Sequence, residues 1–198
     1  MTNHVSDLVG VRKLAQAFVT EGKLAGNENR YSDAAKSYLD AIHLGTEAGR
    51  GGLVIDEMVG LAVESVGLEQ LQTIANDLDA KSCRETATTL ETLDDRRQTW
   101  NEVMQQERNW SRRAFPGLGN ELGKLVLRNS TNKAFQKAEE KFNQQQMKTR
   151  QLTVDLAARA YELDKGHPPA SVSDLVPDYL KTVTQDPTTG TNLVYTPQ

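Results

Sequence analysis

Residues 53–66 restrict the fold more than any other stretch, because they are apolar on nearly every side. Leu53, Val54, Ile55, Met58, Val59, Leu61, Ala62, Val63 and Val66 lie within it. A helix of this kind has no polar face to give to water, so it sits at the centre of a bundle or under a partner. It cannot cross a bilayer, which needs ~20 apolar residues, because it is short and interrupted by Asp56, Glu57 and Glu64. No membrane span is expected in this chain. The cover has to come from flanking helices that each carry one apolar stripe.

The flanks read that way. Leu8, Val11, Leu14, Phe18 and Ala25 predict a helix over 8–25. Gly26-Asn27-Glu28-Asn29 breaks it. Ala34, Ala35, Tyr38, Ala41 and Ile42 predict a second helix over 31–44, with Gly45 as its C-terminal cap. Gly49-Arg50-Gly51-Gly52 is a flexible corner, and a short helix over 68–75 is expected after the apolar one.

Phe18, Gly22, Ala25, Tyr31, Ala34, Tyr38 and Ala41 stand at the places where a tetratricopeptide (TPR) repeat carries small and aromatic residues. Residues 14–48 therefore resemble one TPR unit. No second copy follows in register, and a single repeat forms no superhelical groove. The resemblance implies a helical hairpin whose open face is covered by the 53–66 helix.

From Asp79 or Ser82 a long helix is expected to reach Trp110. Cys83, Ala87, Leu90, Leu93, Trp100, Val103 or Met104, and Trp110 keep near-heptad spacing, interrupted by Arg97. Ser82 with Glu85 suggests a capping box. Residues 114–120 read as a hinge and 122–127 as a short helix. A second long helix follows over 132–164, with Phe135, Ala138, Phe142, Gln145, Thr149, Leu152, Leu156, Ala160 and Leu163 as its seam. That seam is polar in the middle, around Gln144-Gln145-Gln146. The short connection predicts that the two long helices pack antiparallel.

After Gly166 the pattern changes. His167-Pro168-Pro169 stops the helix, Ser171 caps a short one, and Asp186-Pro187-Thr188-Thr189-Gly190 is a tight turn. Leu193-Val194-Tyr195 reads as a strand paired with residues near Lys181 to Thr184. The run Ala160-Tyr161-Glu162-Leu163-Asp164-Lys165-Gly166 is followed by Pro168, Leu175-Val176-Pro177, Tyr179-Leu180, Asp186-Pro187, Gly190 and Tyr195. This tail, about 152–196, is similar to the soluble part of type II secretion pseudopilins and of uncharacterised bacterial envelope proteins. The resemblance implies a module that folds back on the long helix. Some pseudopilins bind calcium near this loop; here only Asp186 and Thr188 match.

The expected fold is mainly α: a helical bundle with a TPR-like hairpin, two long antiparallel helices, and a C-terminal cap of one small helix and a β-hairpin. The expected units are 1–78, 79–166 and 167–198.

Charge narrows the function. The net charge is −4, so nothing draws the whole chain to nucleic acid. Yet residues 111–150 hold nine Lys/Arg against three acids, about +6. That segment reads either as a solvated face that pairs with acidic helices or as a docking face for an acidic protein. The residues named for docking are Trp110, Arg112, Arg113, Lys133, Lys137 and Lys141.

No catalytic pattern stands out. HExxH, CxxC, GxSxG and EF-hand patterns are absent. The Gly117 to Lys124 run misses P-loop spacing, and Leu125 stands where Ser or Thr is needed. His43 with Glu47 makes at most half a metal site. Cys83 reads as a buried structural thiol. Glu57 and Glu64 lie two turns apart on an apolar helix, where burial would raise their pKa, with Arg50, Arg84 and Arg97 as candidate partners.

The expectation is a non-enzymatic interaction or scaffold protein of a bacterial cell, without cofactor or metal, acting through a protein partner or self-association. The alternatives are an accessory component of a secretion or pilus-like envelope assembly, and an enzyme or small-ligand binder using Glu57 and Glu64. An anchor upstream of Met1 would place the chain in the periplasm or envelope; otherwise it is cytoplasmic.

Overall fold

Among the described residues helical periodicity gives six α-helices: α1 (Thr2–Asn27), α2 (Tyr31–Gly49), α3 (Val54–Ile74), α4 (Ala80–Asp95), α5 (Trp100–Ala114) and α6 (Glu121–Lys165). The computed structural model describes residues 2–114 and 121–193, with side chains over 9–114 and 132–193. Short 3-10 turns occupy Ala75–Asp77 and Val172–Leu175.

The α1–α2 turn is local chemistry. Asn29 takes the left-handed conformation at φ 58°, and Arg30 N–H returns to the Ala25 carbonyl at 2.9 Å. That is the usual way to close a helix C-terminus. Across the hairpin Tyr38 lies over Gly22, where an added Cβ would stand 2.3 Å from the ring.

Gly45 does not end α2. The helix continues to Gly49, because Gly45 sits where α2 crosses α3. A Cβ there would lie 2.5 Å from the Glu64 backbone nitrogen and 2.6 Å from the Gly60 carbonyl. The glycine is needed for backbone approach. Nor does α3 stop at Val66. It runs through Gly67 to Ile74 as one helix, so no separate 68–75 helix exists.

The helix expected over 79–110 is two helices. Asp79, not Ser82, caps α4, accepting from Ser82 N–H at 2.7 Å. The chain leaves helix at residues 96–99. Thr99 and Glu102 then restart it as a capping box: Thr99 N–H donates to Glu102 Oε2 at 2.7 Å, and Glu102 N–H to Thr99 Oγ1 at 3.3 Å.

α6 is the spine, about 67 Å long at ~1.5 Å per residue. The segment expected as a short helix over 122–127 is part of it. Residues 115–120, most of the expected hinge, lie outside the described residues. Arg84 pairs with Asp164 and Arg150 with Asp94, so α4 runs antiparallel to α6. Trp100 meets Phe142 at 5.7 Å between ring centroids, which carries α5 on in the same direction. Glu64 meets Thr149, and Val54 clusters with Ala138, so α3 runs parallel to α6 on another side.

Two apolar clusters result. The larger draws on α1–α4, residues 152–160 of α6, and Val172, Leu175, Tyr179 and Leu180. The smaller has only Val54, Val103 and Ala138 fully buried, with Met58, Trp100, Met104 and Phe135 around them. The most enclosed stretch of helix is 152–160 of α6, where Leu152, Val154, Leu156, Ala157, Ala158 and Ala160 are all buried. The expectation that 53–66 is the central element is corrected: Ile55 and Val66 on α3 face out.

The C-terminal segment packs back on α4 and α6. Tyr179 Oη donates to Asp164 at 3.0 Å, and Lys181 N–H to Glu91 at 3.0 Å. The expected β-hairpin is not formed among the described residues. One antiparallel bridge, Gln185 to Asn192, closes the 186–190 turn, and Leu193 N–H reaches the Thr184 carbonyl at 2.9 Å. Asp186 holds this turn by accepting from Thr188 and Thr189 N–H. Val194 and Tyr195 lie outside the described residues.

Candidate functional site

A layer of charged and polar side chains separates the two apolar clusters. α3 supplies Glu57 and Glu64, both turned inward. The 96–99 break supplies Arg97 and Gln98, the end of α4 supplies Asp94, and α6 supplies Gln145, Gln146, Thr149 and Arg150. Arg97 Nη2 meets Glu64 Oε1 at 2.5 Å, with both side chains almost fully enclosed. Thr149 Oγ1 donates to the same oxygen at 3.0 Å. Gln98 Nε2 donates to Glu57 Oε2 and to the Gly49 carbonyl, each at 3.2 Å. Arg150 Nε meets Asp94 Oδ2 at 2.7 Å, and Gln146 Nε2 meets Asp94 Oδ1 at 2.9 Å.

The electrostatics follow from burial. Loss of solvent works against the Arg97 charge, but Glu64, Asp94 and Glu57 more than offset it, so its pKa is raised. Desolvation pushes Glu57 up, partly offset by the Gln98 hydrogen bond and the Arg97 charge. Glu64 Oε2, Arg97 Nε and Gln145 Nε2 are buried without a hydrogen-bond partner. Such a network is costly to break, since removing one ion strands the other. Of the three arginines named as partners, Arg97 reaches Glu64, whereas Arg50 pairs with Glu47 and Arg84 with Asp164. Asp94, Gln98 and Arg150 escaped sequence reasoning as site residues, and Thr149 is visible there only as a member of the α6 seam. The polar middle of the α6 seam was their one visible trace.

Beside the break lies an open groove of about 540 Å³, lined among others by Arg97, Trp100, Phe142, Gln146, Arg150 and Asp186. Its two arginines are already engaged, by Glu64 and by Asp94. Asp186 is held below the usual carboxylate range by the amides of its own turn. Among the described residues no group of three His, Cys, Asp or Glu side chains could hold a metal. His43 and Glu47 form an exposed pair at 3.6 Å. Cys83 is buried, and burial pushes its thiol up to about 11. No helix among the described residues is long and apolar enough to cross a membrane.

The residues named for docking fall on the part of the molecule held by the smaller cluster. α5 and the first half of α6 form an arm, with Val54 and Met58 at the start of α3 packed against its base. Trp110 is 42% exposed. Arg112 and Arg113 are exposed in the last turn of α5, and Lys133, Lys137 and Lys141 are exposed along one line of α6. Arg108 and Asn132 share a hollow, so Arg112 and Arg113 lie about one turn nearer the tip than Lys133. Among the described residues none of these five cations forms an ion pair. Elsewhere Arg30, Arg50, Arg84, Arg97, Arg150 and Arg159 each face a carboxylate.

Comparison of the chain with protein families, with characterised proteins and with solved structures finds no match.

Proposed function

We propose that this is a non-enzymatic interaction protein whose basic arm docks on an acidic protein. The observation that carries the reading is the contrast in pairing. Most arginines of the body, Arg12 and Arg96 excepted, are matched by carboxylates, while Arg112, Arg113, Lys133, Lys137 and Lys141 gather on the arm exposed and without one among the described residues. Such a face steers an oppositely charged partner and loses hold as salt screens it. Replacing Lys133, Lys137 and Lys141 together by Glu should abolish recovery of the partner in a pull-down at low salt. Undiminished recovery would remove the basic face from consideration.

A second reading rests on the C-terminal segment. Its return onto α4 and α6 through Tyr179 and Lys181 is what a pseudopilin-like cap would do. In that reading the chain is an accessory component of a secretion or pilus-like assembly and co-fractionates with it. Recovery away from any such assembly would discard the idea. The α1–α2 hairpin, with Tyr38 over Gly22, supports a TPR-like packing; α3 lies on α2 where a peptide-binding repeat would be open.

A further inference from the structure

The seam between α5 and the first half of α6 is open to solvent. The groove of about 540 Å³ beside the 96–99 break shares Trp100, Asn101 and Glu139 with a hollow of about 270 Å³ further out. That hollow shares Asn101 and Arg108 with a third, of about 360 Å³, which reaches Arg112. The three make one trough. Trp100, Met104 and Phe135 line it half-buried, as an apolar floor. Its α6 rim runs from Asn132 to Gln146, about 21 Å at ~1.5 Å per residue. An extended chain at ~3.4 Å per residue covers that length with about six residues.

The rims are polar and mostly uncharged. Asn101 and Gln105 of α5 face Gln136 and Asn143 of α6, and none of these four side chains makes a hydrogen bond among the described residues. A carboxamide both donates and accepts, which complements the N–H and C=O of a peptide group. The two ends differ in charge. Arg108 and Arg112 mark the outer end, exposed and without an ion pair among the described residues. Glu139 stands midway, and Asp186, which accepts only from the amides of its own turn, stands at the inner end. The inner arginines, Arg97 and Arg150, are already matched by Glu64 and Asp94. A uniform polyanion does not suit this gradient, because Glu139 and Asp186 repel its inner half. Phe142, at 3% exposure, offers no face on which a base could stack.

We infer that this trough holds an extended peptide segment of the partner, apolar in its middle, acidic at the end over Arg108 and Arg112, and basic at the end over Glu139 and Asp186. The amide rims hold its main chain, the floor takes its apolar side chains, and the charge gradient sets which way it lies. The inference rests on the reading that the arm docks a protein, and it names the part of that protein the arm grips. Lys133, Lys137 and Lys141 are not in the lining. Their charge reversal therefore tests the basic face, and the trough can fail while that face stands.

Fluorescence anisotropy on the full chain tests this. The probe is a fluorescein-labelled heptapeptide with two glutamates at one end, two lysines at the other and leucine, serine and leucine between, made in both chain directions. One direction should saturate with a Kd of about 100 µM or tighter at low salt. The double variant Asn101→Ala/Gln136→Ala, at exposed positions, should bind at least about tenfold more weakly with an unchanged circular-dichroism melt. Should that variant not fold, Glu139→Lys makes the same test, weakening the probe and favouring a control peptide with glutamates at both ends. Binding by neither direction up to about 1 mM, or binding indifferent to the amide variant, overturns the site. A wild-type chain that holds the control peptide as tightly as the probe overturns the charge gradient. Displacement of the probe by a twelve-nucleotide oligothymidine would make the trough a single-stranded nucleic-acid site and overturn the peptide.

Discussion

The two halves of α6 share one backbone and have opposite surroundings. From Leu152 to Ala160 the helix is walled in by α4, by the N-terminal helices and by the C-terminal segment, and every residue is buried except Asp155 and Arg159, which are half-buried. Between Lys133 and Phe142 only Ala138 and Phe142 are buried, and Lys133, Lys137 and Lys141 stand in water. The boundary is the polar layer at Gln145 and Thr149. A helix is held by its packed face far more than by its own propensity. The body should therefore be the stable unit, and the arm a lightly held extension that presents charge.

The strongest way to break this division is at the layer itself. Glu64→Ala leaves Arg97 buried without its main counter-charge and should cost about 3–5 kcal/mol in urea unfolding. A cost under ~1 kcal/mol would mean that water already reaches Arg97.

The next test compares one substitution on the two sides. Val154 and Val103 are both fully buried, the first in the body and the second in the arm. Val154→Ala should cost about 2 kcal/mol, because the neighbours of that site cannot collapse into the gap. Val103→Ala should cost about 1 kcal/mol, since α5 can settle against few fixed neighbours. Equal costs would erase the distinction.

The smallest effect concerns pH. Burial raises the Glu57 pKa, so the folded protein holds that proton more firmly than the unfolded chain does. Stability from this group is therefore fully present below its unfolded value and is lost as pH rises through the raised folded one. Glu57→Gln keeps an oxygen for Gln98 and removes the buried charge. It should stabilise by up to about 1 kcal/mol at neutral pH and by nothing in acid. A gain that persists unchanged in acid would contradict the assignment.

Much of this architecture is readable in the sequence, and the failures have physical causes. Helical spacing shows that helices exist, and the hydrophobic seam shows which side of α6 is covered near Phe142 and Leu156. The break at 96–99 is hidden because Leu93, Trp100 and Val103 keep nearly regular spacing through it. What bends the chain is a tertiary demand, the pairing of Arg97 with Glu64. The Thr99–Glu102 capping box was the local sign of a new helix start. Gly45 was read as a terminator, because sequence alone cannot tell a glycine that ends a helix from one that lets two helices touch. α3 seemed fit for the centre because its apolar count is high, but three carboxylates took the inward positions. The site was legible only as single residues: Glu57, Glu64 and Arg97 were named, and their joining to Thr149 and Asp94 across the fold was not.

Hydrogen exchange resolved along α6 tests the unequal halves most directly. Amides from 150 to 161 should exchange only through global unfolding, while those from 132 to 143, together with 100–114 of α5, should open at least about tenfold more often. Equal protection along the whole helix would contradict the division into a stable body and a lightly held arm.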